Sequence, residues 1–442
     1  MRSMSHRVAI VGCGTVGGAT AQHLLEQRDL ISRRFGVPVE LAVVVDRDLR
    51  HARSLGLPEK LLTDDLDEVL AREDITIVVE LIGGTDFAGT LIKRALGSGK
   101  HVVTANKALL AHHGPELFAA ARAASRSLAF EASCGGGIPV VRAITDGLAG
   151  SRIDAIYGIV NGTCNYILTQ MIERDLTYQD ALAEAQADGL AEADPTLDVS
   201  GMDSAHKIAI MAALAFGVAV DFEAIPVTGI DTLGLEDVTW AQRLGYMPKL
   251  LAIAERTPGG IGLGVQPAFV PDDHPLSWVG GPFNAVSIYS YPTGHTLYYG
   301  RGAGGSATAG AIVADIIGLA TGSYTSLFST AQFWPDQTEQ TVQNASFPGA
   351  RRYYIRLLLE DKPGALAEIT NRFGEHGISF ASVHQDETDD EAPSVAAVVA
   401  VTHRVAREAL EKAVVQINRF PRVHQPCVVV PIIDERKEEL LP

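Results

Sequence analysis

Between residues 189 and 207 the chain reads GLAEADPTLDVSGMDSAHK, which crowds Glu192, Asp194, Asp198, Asp203 and Lys207 into one short segment. The first three acids fall in a loop punctuated by glycine and proline, and Asp203 and Lys207 open the apolar run KIAIMAALAFG. A spacing of four puts that acid and that base on one helix face. On a solvated face such a pair contributes roughly 0–1 kcal/mol and carries no chemistry. Here the lysine leads into a helix apolar enough to be buried, which points to a centre for moving protons.

A second constellation sits at the other end of the chain. Val8 to Val11 form an apolar strand-like run, followed by Gly12-Cys13-Gly14-Thr15-Val16-Gly17 and a helical stretch. A lone GxGxxG is weak, but between a strand and a helix its glycines allow a tight turn and bring backbone amides to a pyrophosphate. Asp46 and Arg47 end the second strand-like run, with Arg50 and Arg53 close behind. An acid there holds the ribose hydroxyls of NAD, and an arginine accommodates the 2′-phosphate of NADP. Both are present, so the coenzyme stays open, and the arginines also read as a solvated charge cluster.

The elements that must carry these residues are legible from periodicity. From residue 6 to about 150, the runs HRVAIVG, VELAVVVD, ITIVVELIG, KHVVTAN and SLAFEAS alternate with helical stretches. That rhythm predicts an α/β unit, a Rossmann-type doubly wound parallel sheet over residues 1–150. Residues 151–322 change to a mixed pattern and read as an α+β substrate and dimerisation domain, with a helix at 304–322 that packs back on the first domain. Residues 323–350, rich in Ser, Thr, Gln and Pro, read as a linker. Residues 351–433 run strand, helix, strand, strand, helix, strand, the ferredoxin-like order.

Composition narrows the partners. The formal net charge of −17, from 53 acids against 36 Lys and Arg, argues against a nucleic acid or an anionic membrane, both of which need a basic face. Cys13, Cys134, Cys164 and Cys427 lie far apart without a CxxC pair, which suits a reducing cytoplasm and shows no zinc site. No stretch reaches the length of uninterrupted apolar residues that a membrane span needs.

Several segments together resemble the homoserine dehydrogenases, in the long form with a C-terminal ACT regulatory domain. GCGTVGG (12–18) resembles the family's cofactor loop, TANKALLA (104–111) its lysine loop, and EASCGGGIP (131–139) its cation-holding turn. GIVNGTCNYIL (158–168) and the 189–207 segment resemble its substrate regions, and GRGAGG (300–305) the turn that reaches the cofactor. The resemblance implies interconversion of L-homoserine and L-aspartate 4-semialdehyde with NAD or NADP, in a homodimer or homotetramer, on the way to threonine and methionine. It makes Lys207 the acid–base lysine, Asp203 its partner, Glu192 a substrate ligand and Asp198 a further one. Lys107 would lie beside substrate and nicotinamide. Gly12, Gly14, Thr15, Val16, Gly17, Thr104 and Gly304 match cofactor positions. Glu131 with the carbonyls of Cys134, Gly136 and Ile138 would hold Na⁺ or K⁺, which makes Cys134 a backbone ligand and no nucleophile. The ACT domain implies an amino-acid effector, read here as threonine at Asn371 to Ser379. One departure stands out: where some members have tyrosine two residues before the substrate glutamate, this chain has Leu190.

The chemistry suits these residue types. Reducing an aldehyde needs a hydride on carbon and a proton on oxygen. Two lysines converging on one substrate lower each other's proton affinity and attract its carboxylate, and Glu192 would accept its ammonium. The rival readings are another Rossmann-type amino-acid dehydrogenase, sharing the first domain but not the 189–207 segment, and a non-catalytic amino-acid sensor.

Overall fold

The computed structural model describes residues 5–257, 259–342, 350–386 and 395–433. The chain divides into two compact units, one of residues 1–156, 205–224 and 284–344, the other of residues 157–204, 225–283 and 345–442.

The first unit is built on six strands: β1 (His6–Val11), β2 (Val39–Val45), β3 (Leu62–Thr63), β4 (Ile77–Glu80), β5 (His101–Thr104) and β6 (Leu128–Ala129). They pair in parallel in the order β3-β2-β1-β4-β5-β6. The central runs Val8–Ile10 and Ile77–Val79 are fully buried, as strands covered by helices on both faces must be. The order reverses between β1 and β4, and a crevice for a ligand forms at the carboxyl ends of strands at such a switch point.

The glycine loop after β1 is fixed by close approach. Gly12 has φ +100, and a Cβ there would lie 2.6 Å from the Leu81 carbonyl oxygen. A Cβ on Gly17 would lie 1.9 Å from the Gly12 carbonyl oxygen, so helix α1 (Thr15–Phe35) can meet β1 only through a glycine. Gly14 has nothing within 4 Å of its Cβ position. Its freedom is turned toward open space.

Residues 323–342, expected as linker, are instead folded into the first unit. Ser323–Thr330 is a helix, and Thr341–Val342 pairs in parallel with Ala219–Val220. Trp334 is fully buried against the rings of Phe118, Phe130, Phe328 and Phe333. Polar composition hid this because one large aromatic brings enough apolar area to anchor a polar stretch. Residues 343–349 of the expected linker lie outside the described residues. The helix Gly305–Ala320 also belongs to this unit, and a Cβ on Gly305 would come within 3.0 Å of the Thr15 carbonyl oxygen.

In the second unit the hairpin Tyr246–Thr257 and Gly260–Pro271 continues through Val428–Ile432, Ala350–Glu360 and Val395–Thr402 to Phe380–Gln385. The last four strands, with helices Ala365–Glu375 and Arg407–Ile417, give the expected ferredoxin-like order. Its core follows from period two meeting helical period. Tyr353, Ile355, Leu357 and Leu359 alternate along one strand and pack with Ile369 and Phe373 of one helix and Leu410, Ala413 and Ile417 of the other. On the opposite face Tyr354 and Arg356 both donate to the fully buried Asp237, Arg356 through Nε at 2.6 Å and Nη2 at 3.0 Å. Phe269 and Ile432 are parallel partners, so the ferredoxin-like sheet shares hydrogen bonds with the hairpin. No single helix among the described residues is long and apolar enough to cross a membrane.

Two alanine substitutions in one loop separate packing from openness. Gly17→Ala should destabilise the protein by at least about 1–3 kcal/mol, because backbone must move to admit the methyl. Gly14→Ala, at φ −76 and facing open space, should leave the melting temperature unchanged. Thermal denaturation of both variants checks the pair.

Candidate active site

The turn around the glycine loop is held by Asp46 at the end of β2. Its carboxylate accepts the Cys13 N–H at 2.6 Å and the Asp48 N–H at 3.0 Å. Arg50 is engaged with Asp48 at 2.5 Å and Arg53 with Glu59 at 2.7 Å, which leaves the exposed Arg47 beside Asp46 as a cation not spent on those pairs. Thr15 and Val16 open α1. Gly304, at φ +107, immediately precedes the close contact of Gly305 with Thr15, so the 300–305 turn reaches the glycine loop.

A second clamp shapes the lysine loop. Glu80, fully buried at the end of β4, accepts the Ile82 N–H at 2.9 Å and the Thr104 hydroxyl at 2.6 Å. Thr104 Oγ1 in turn accepts the Asn106 N–H at 3.1 Å. Asn106 then caps the helix Lys107–Ala123 by accepting from the Leu109 N–H, while its amide donates to the Gly84 carbonyl at 2.6 Å. Lys107 is thereby set at the first position of a helix, half-buried.

The turn 131–139 is organised by a buried carboxylate as well. The side-chain oxygens of Glu131 accept the N–H groups of Val141 and Arg142, each at 2.9 Å. Asp315, on the helix Gly305–Ala320, accepts the Glu131 N–H at 2.8 Å and pairs with Arg142 at 3.0 Å. Burial, and then the neighbouring Asp315, push the Glu131 carboxyl up to about 8 against the pull of those donors. Burial lifts Asp315 to about 6. Each Glu131 side-chain oxygen already accepts one backbone N–H, so a cation at this turn would draw mainly on its main-chain oxygens. Ile138 O accepts the Val140 N–H at 2.8 Å and Glu131 O a long bond from Cys134 at 3.4 Å. Cys134 and Gly136 are buried, and no donor to either carbonyl is found among the described residues. Such orphaned acceptors need water or an ion.

The Cys134 thiol is pushed up to about 12 by burial, even though both Lys207 and Lys107 pull it down. Both lysines are thus within electrostatic reach of this buried thiol. Cys134 Sγ also lies 3.7 Å from the Lys207 carbonyl. A thiol held so far above its ordinary value is no nucleophile. The neighbouring His206 stacks on Phe222, with ring centroids 4.7 Å apart, as a packed helix histidine does.

In the second unit Asn161 gathers the acids. Its side-chain amide donates to Asp198 at 2.7 Å and to Asp203 at 2.9 Å. Asp203 is 4% exposed and Lys207 8%, one turn apart on the helix Met202–Phe216. Glu192 is exposed on its loop. Leu190, at the position of departure, offers its carbonyl to the Thr163 hydroxyl at 2.8 Å, so a backbone contact orders this point of the loop.

Sequence reading missed Glu80, Asn161 and Asp315. Each had a signal: an acid closing the apolar strand IVVE, an asparagine directly before a helix, and a lone acid inside the apolar helix AIVADIIGLA. A polar residue in an apolar element is retained only with a partner, but nothing in the sequence says which partner.

Comparison with known proteins agrees with this arrangement. Residues 12–131 match the homoserine dehydrogenase NAD-binding domain, residues 139–317 the homoserine dehydrogenase family, and residues 353–419 the ACT domain. The homoserine dehydrogenase of Pseudomonas aeruginosa is 40% identical over 96% of this chain and 97% of its own. The crystal structure of a homoserine dehydrogenase from Thiobacillus denitrificans superposes with a TM-score of 0.90 at 38% identity, covering 97% of this chain and 98% of that one. A hyperthermophilic archaeal homoserine dehydrogenase in complex with NADPH matches with a TM-score of 0.60 at 28% identity, over 71% of this chain and 97% of that one. On the full-length identity and the three matched segments, the chain belongs to the homoserine dehydrogenase family.

Proposed function

We propose that Lys207 is the proton donor and acceptor of the homoserine dehydrogenase reaction, the reversible NAD(P)-dependent interconversion of L-aspartate 4-semialdehyde and L-homoserine. The observation that carries the assignment is the placing of Asp203 and Lys207 one turn apart, both buried, on an apolar helix. The influence of Lys207 and Lys107 on the same Cys134 thiol supports their convergence.

The glycine loop fits a nicotinamide coenzyme: Gly14 leaves a cradle that any side chain would fill, at the switch point of the sheet. Gly12, Gly14, Thr15, Val16, Gly17, Thr104 and Gly304 would hold it, with Asp46 and Arg47 at the ribose end. When bound, the coenzyme gives or takes the hydride at the substrate's C4. Lys207 delivers a proton to the C4 oxygen in reduction and removes it in oxidation. Lys107 attracts the substrate carboxylate. Asp203 orients Lys207, and Glu192 and Asp198 accept the substrate's ammonium. The buried carbonyls of Cys134 and Gly136, with those of Glu131 and Ile138, fit Na⁺ or K⁺, which would stiffen the turn beside Cys134. We further propose that the protein works in the cytoplasm as a homodimer or homotetramer and that its ACT domain binds threonine at Asn371 to Ser379.

Initial rates at the nicotinamide absorbance band test the central assignment. Lys207→Ala should lower kcat by about 10²–10⁴-fold, the range for loss of a general acid–base, with coenzyme affinity unchanged. Equal losses in both would make Lys207 structural. Arg47→Ala should raise KM for NADP about tenfold, as for a lost charge-assisted bond, and leave KM for NAD alone; parallel changes would exclude 2′-phosphate recognition by Arg47. Threonine titration should give a saturating change in rate that Asn371→Ala abolishes at unaltered basal rate. A point variant serves here because truncating the domain would strip strand partners from Phe269. A rate indifferent to threonine would remove the effector reading.

A further inference from the structure

We infer that Asn161 is a positioning residue that sets Asp198 and Asp203 for the reaction, an inference that rests on the reading of Asp203 and Lys207 just given. Asn161 is 4% exposed and stands in extended conformation directly before the helix Gly162–Arg174. Its Oδ1 accepts the Cys164 N–H at 2.8 Å, and its Nδ2 donates to Asp198 Oδ1 at 2.7 Å and Asp203 Oδ2 at 2.9 Å. An asparagine amide has one carbonyl and two N–H groups. All are assigned, to three different partners. Rotating the amide by half a turn would press its carbonyl against two carboxylates and its N–H groups against an amide donor, so the chemistry of the partners fixes its orientation.

Capping alone does not call for this residue. Serine, threonine or aspartate would accept the Cys164 N–H equally well at a helix N-cap. Only asparagine, among residues of that length, both caps and donates twice. What the second and third bonds do is bridge two like charges from separate elements, the turn at Asp198 and the helix at Asp203. Without the shared donor these carboxylates repel, and the first turn of the helix that leads to Lys207 loses its anchor. The Asp198 carbonyl is also the contact of the Cys164 thiol at 3.2 Å, so the same helix start grips this acid through main chain and side chain. Asn161 acts through the carboxylates and needs no contact with substrate.

The test is a double-mutant cycle in the full-length protein. Asn161→Ser keeps the cap but has one donor, and Asn161→Asp keeps the cap but has none and adds a charge. Asn161→Ser should melt close to the wild type, whereas Asn161→Asp, which sets a third carboxylate against two, should melt lower, so the comparison of kcat with stability rests on Asn161→Ser. Asn161→Ser should lower kcat about tenfold, as expected for one lost bond to a charged group, and Asn161→Asp should lower it further, with KM for the coenzyme unchanged. In an Asp203→Asn background the cost of Asn161→Ser should shrink several-fold, because the partner through which it acts is already altered. Full additivity of the two losses, wild-type kcat in Asn161→Ser, or activity falling only in proportion to a lowered melting temperature would each overturn the inference. Wild-type kcat in Asp203→Asn alone would overturn the underlying reading instead, and it shows in that single variant.

Discussion

A carboxylate taken out of water must find donors, and in this chain the donors are the loops that the site needs. Glu80 draws in the amides after β4 and the Thr104 hydroxyl. Asp46 draws in the glycine loop through Cys13. Glu131 holds the start of the segment after its turn through Val141 and Arg142. At the buried Glu80 and Glu131 a side chain left without donors would cost free energy whether charged or neutral, and at the half-buried Asp46 the two backbone bonds add a smaller restraint, so each loop is held by the bonds it donates. The glycine loop, the lysine loop and the turn at 131–139 are thus shaped by the protein's own acids.

The same constraint explains how few basic groups are needed in a strongly acidic chain. The substrate's carboxylate and a pyrophosphate must be met by cations, and the bulk charge opposes both. Spending buried acids on backbone N–H groups keeps them from neutralising Lys107 and Lys207. Burial still outweighs the pull of both lysines on the Cys134 thiol. Asp203 is buried one turn from Lys207 and shared with Asn161.

The sequence made visible whatever rests on local pattern. The parallel sheet, the glycine turn and the βαββαβ unit follow from periodicity, and Asp203 and Lys207 announced themselves by spacing. What stayed hidden depends on contacts across many residues. Asp315 meets Glu131 far along the chain, Thr104 meets Glu80 across a strand pair, and Asn161 meets acids from two later segments. Each looked like an ordinary polar residue until its partner was known. The stretch 323–342 failed for a related reason: Trp334 and its aromatic neighbours, and not any periodicity, decide its burial. Coenzyme preference and the proposed cation rest on fine geometry at Asp46, Arg47 and the 131–139 turn, which spacing does not encode.

Residue-resolved hydrogen exchange on the ligand-free protein tests most directly whether the site loops are held by these carboxylates before any ligand arrives. The amides of Cys13, Ile82, Val141 and Cys164, all donors to buried or partly buried side-chain oxygens, should exchange as slowly as those of β1 and β4. Adding coenzyme and homoserine should change them little. Fast exchange at these amides without ligand, slowing only when coenzyme and substrate bind, would contradict the account and make the ligands, rather than the acids, the organisers of the site.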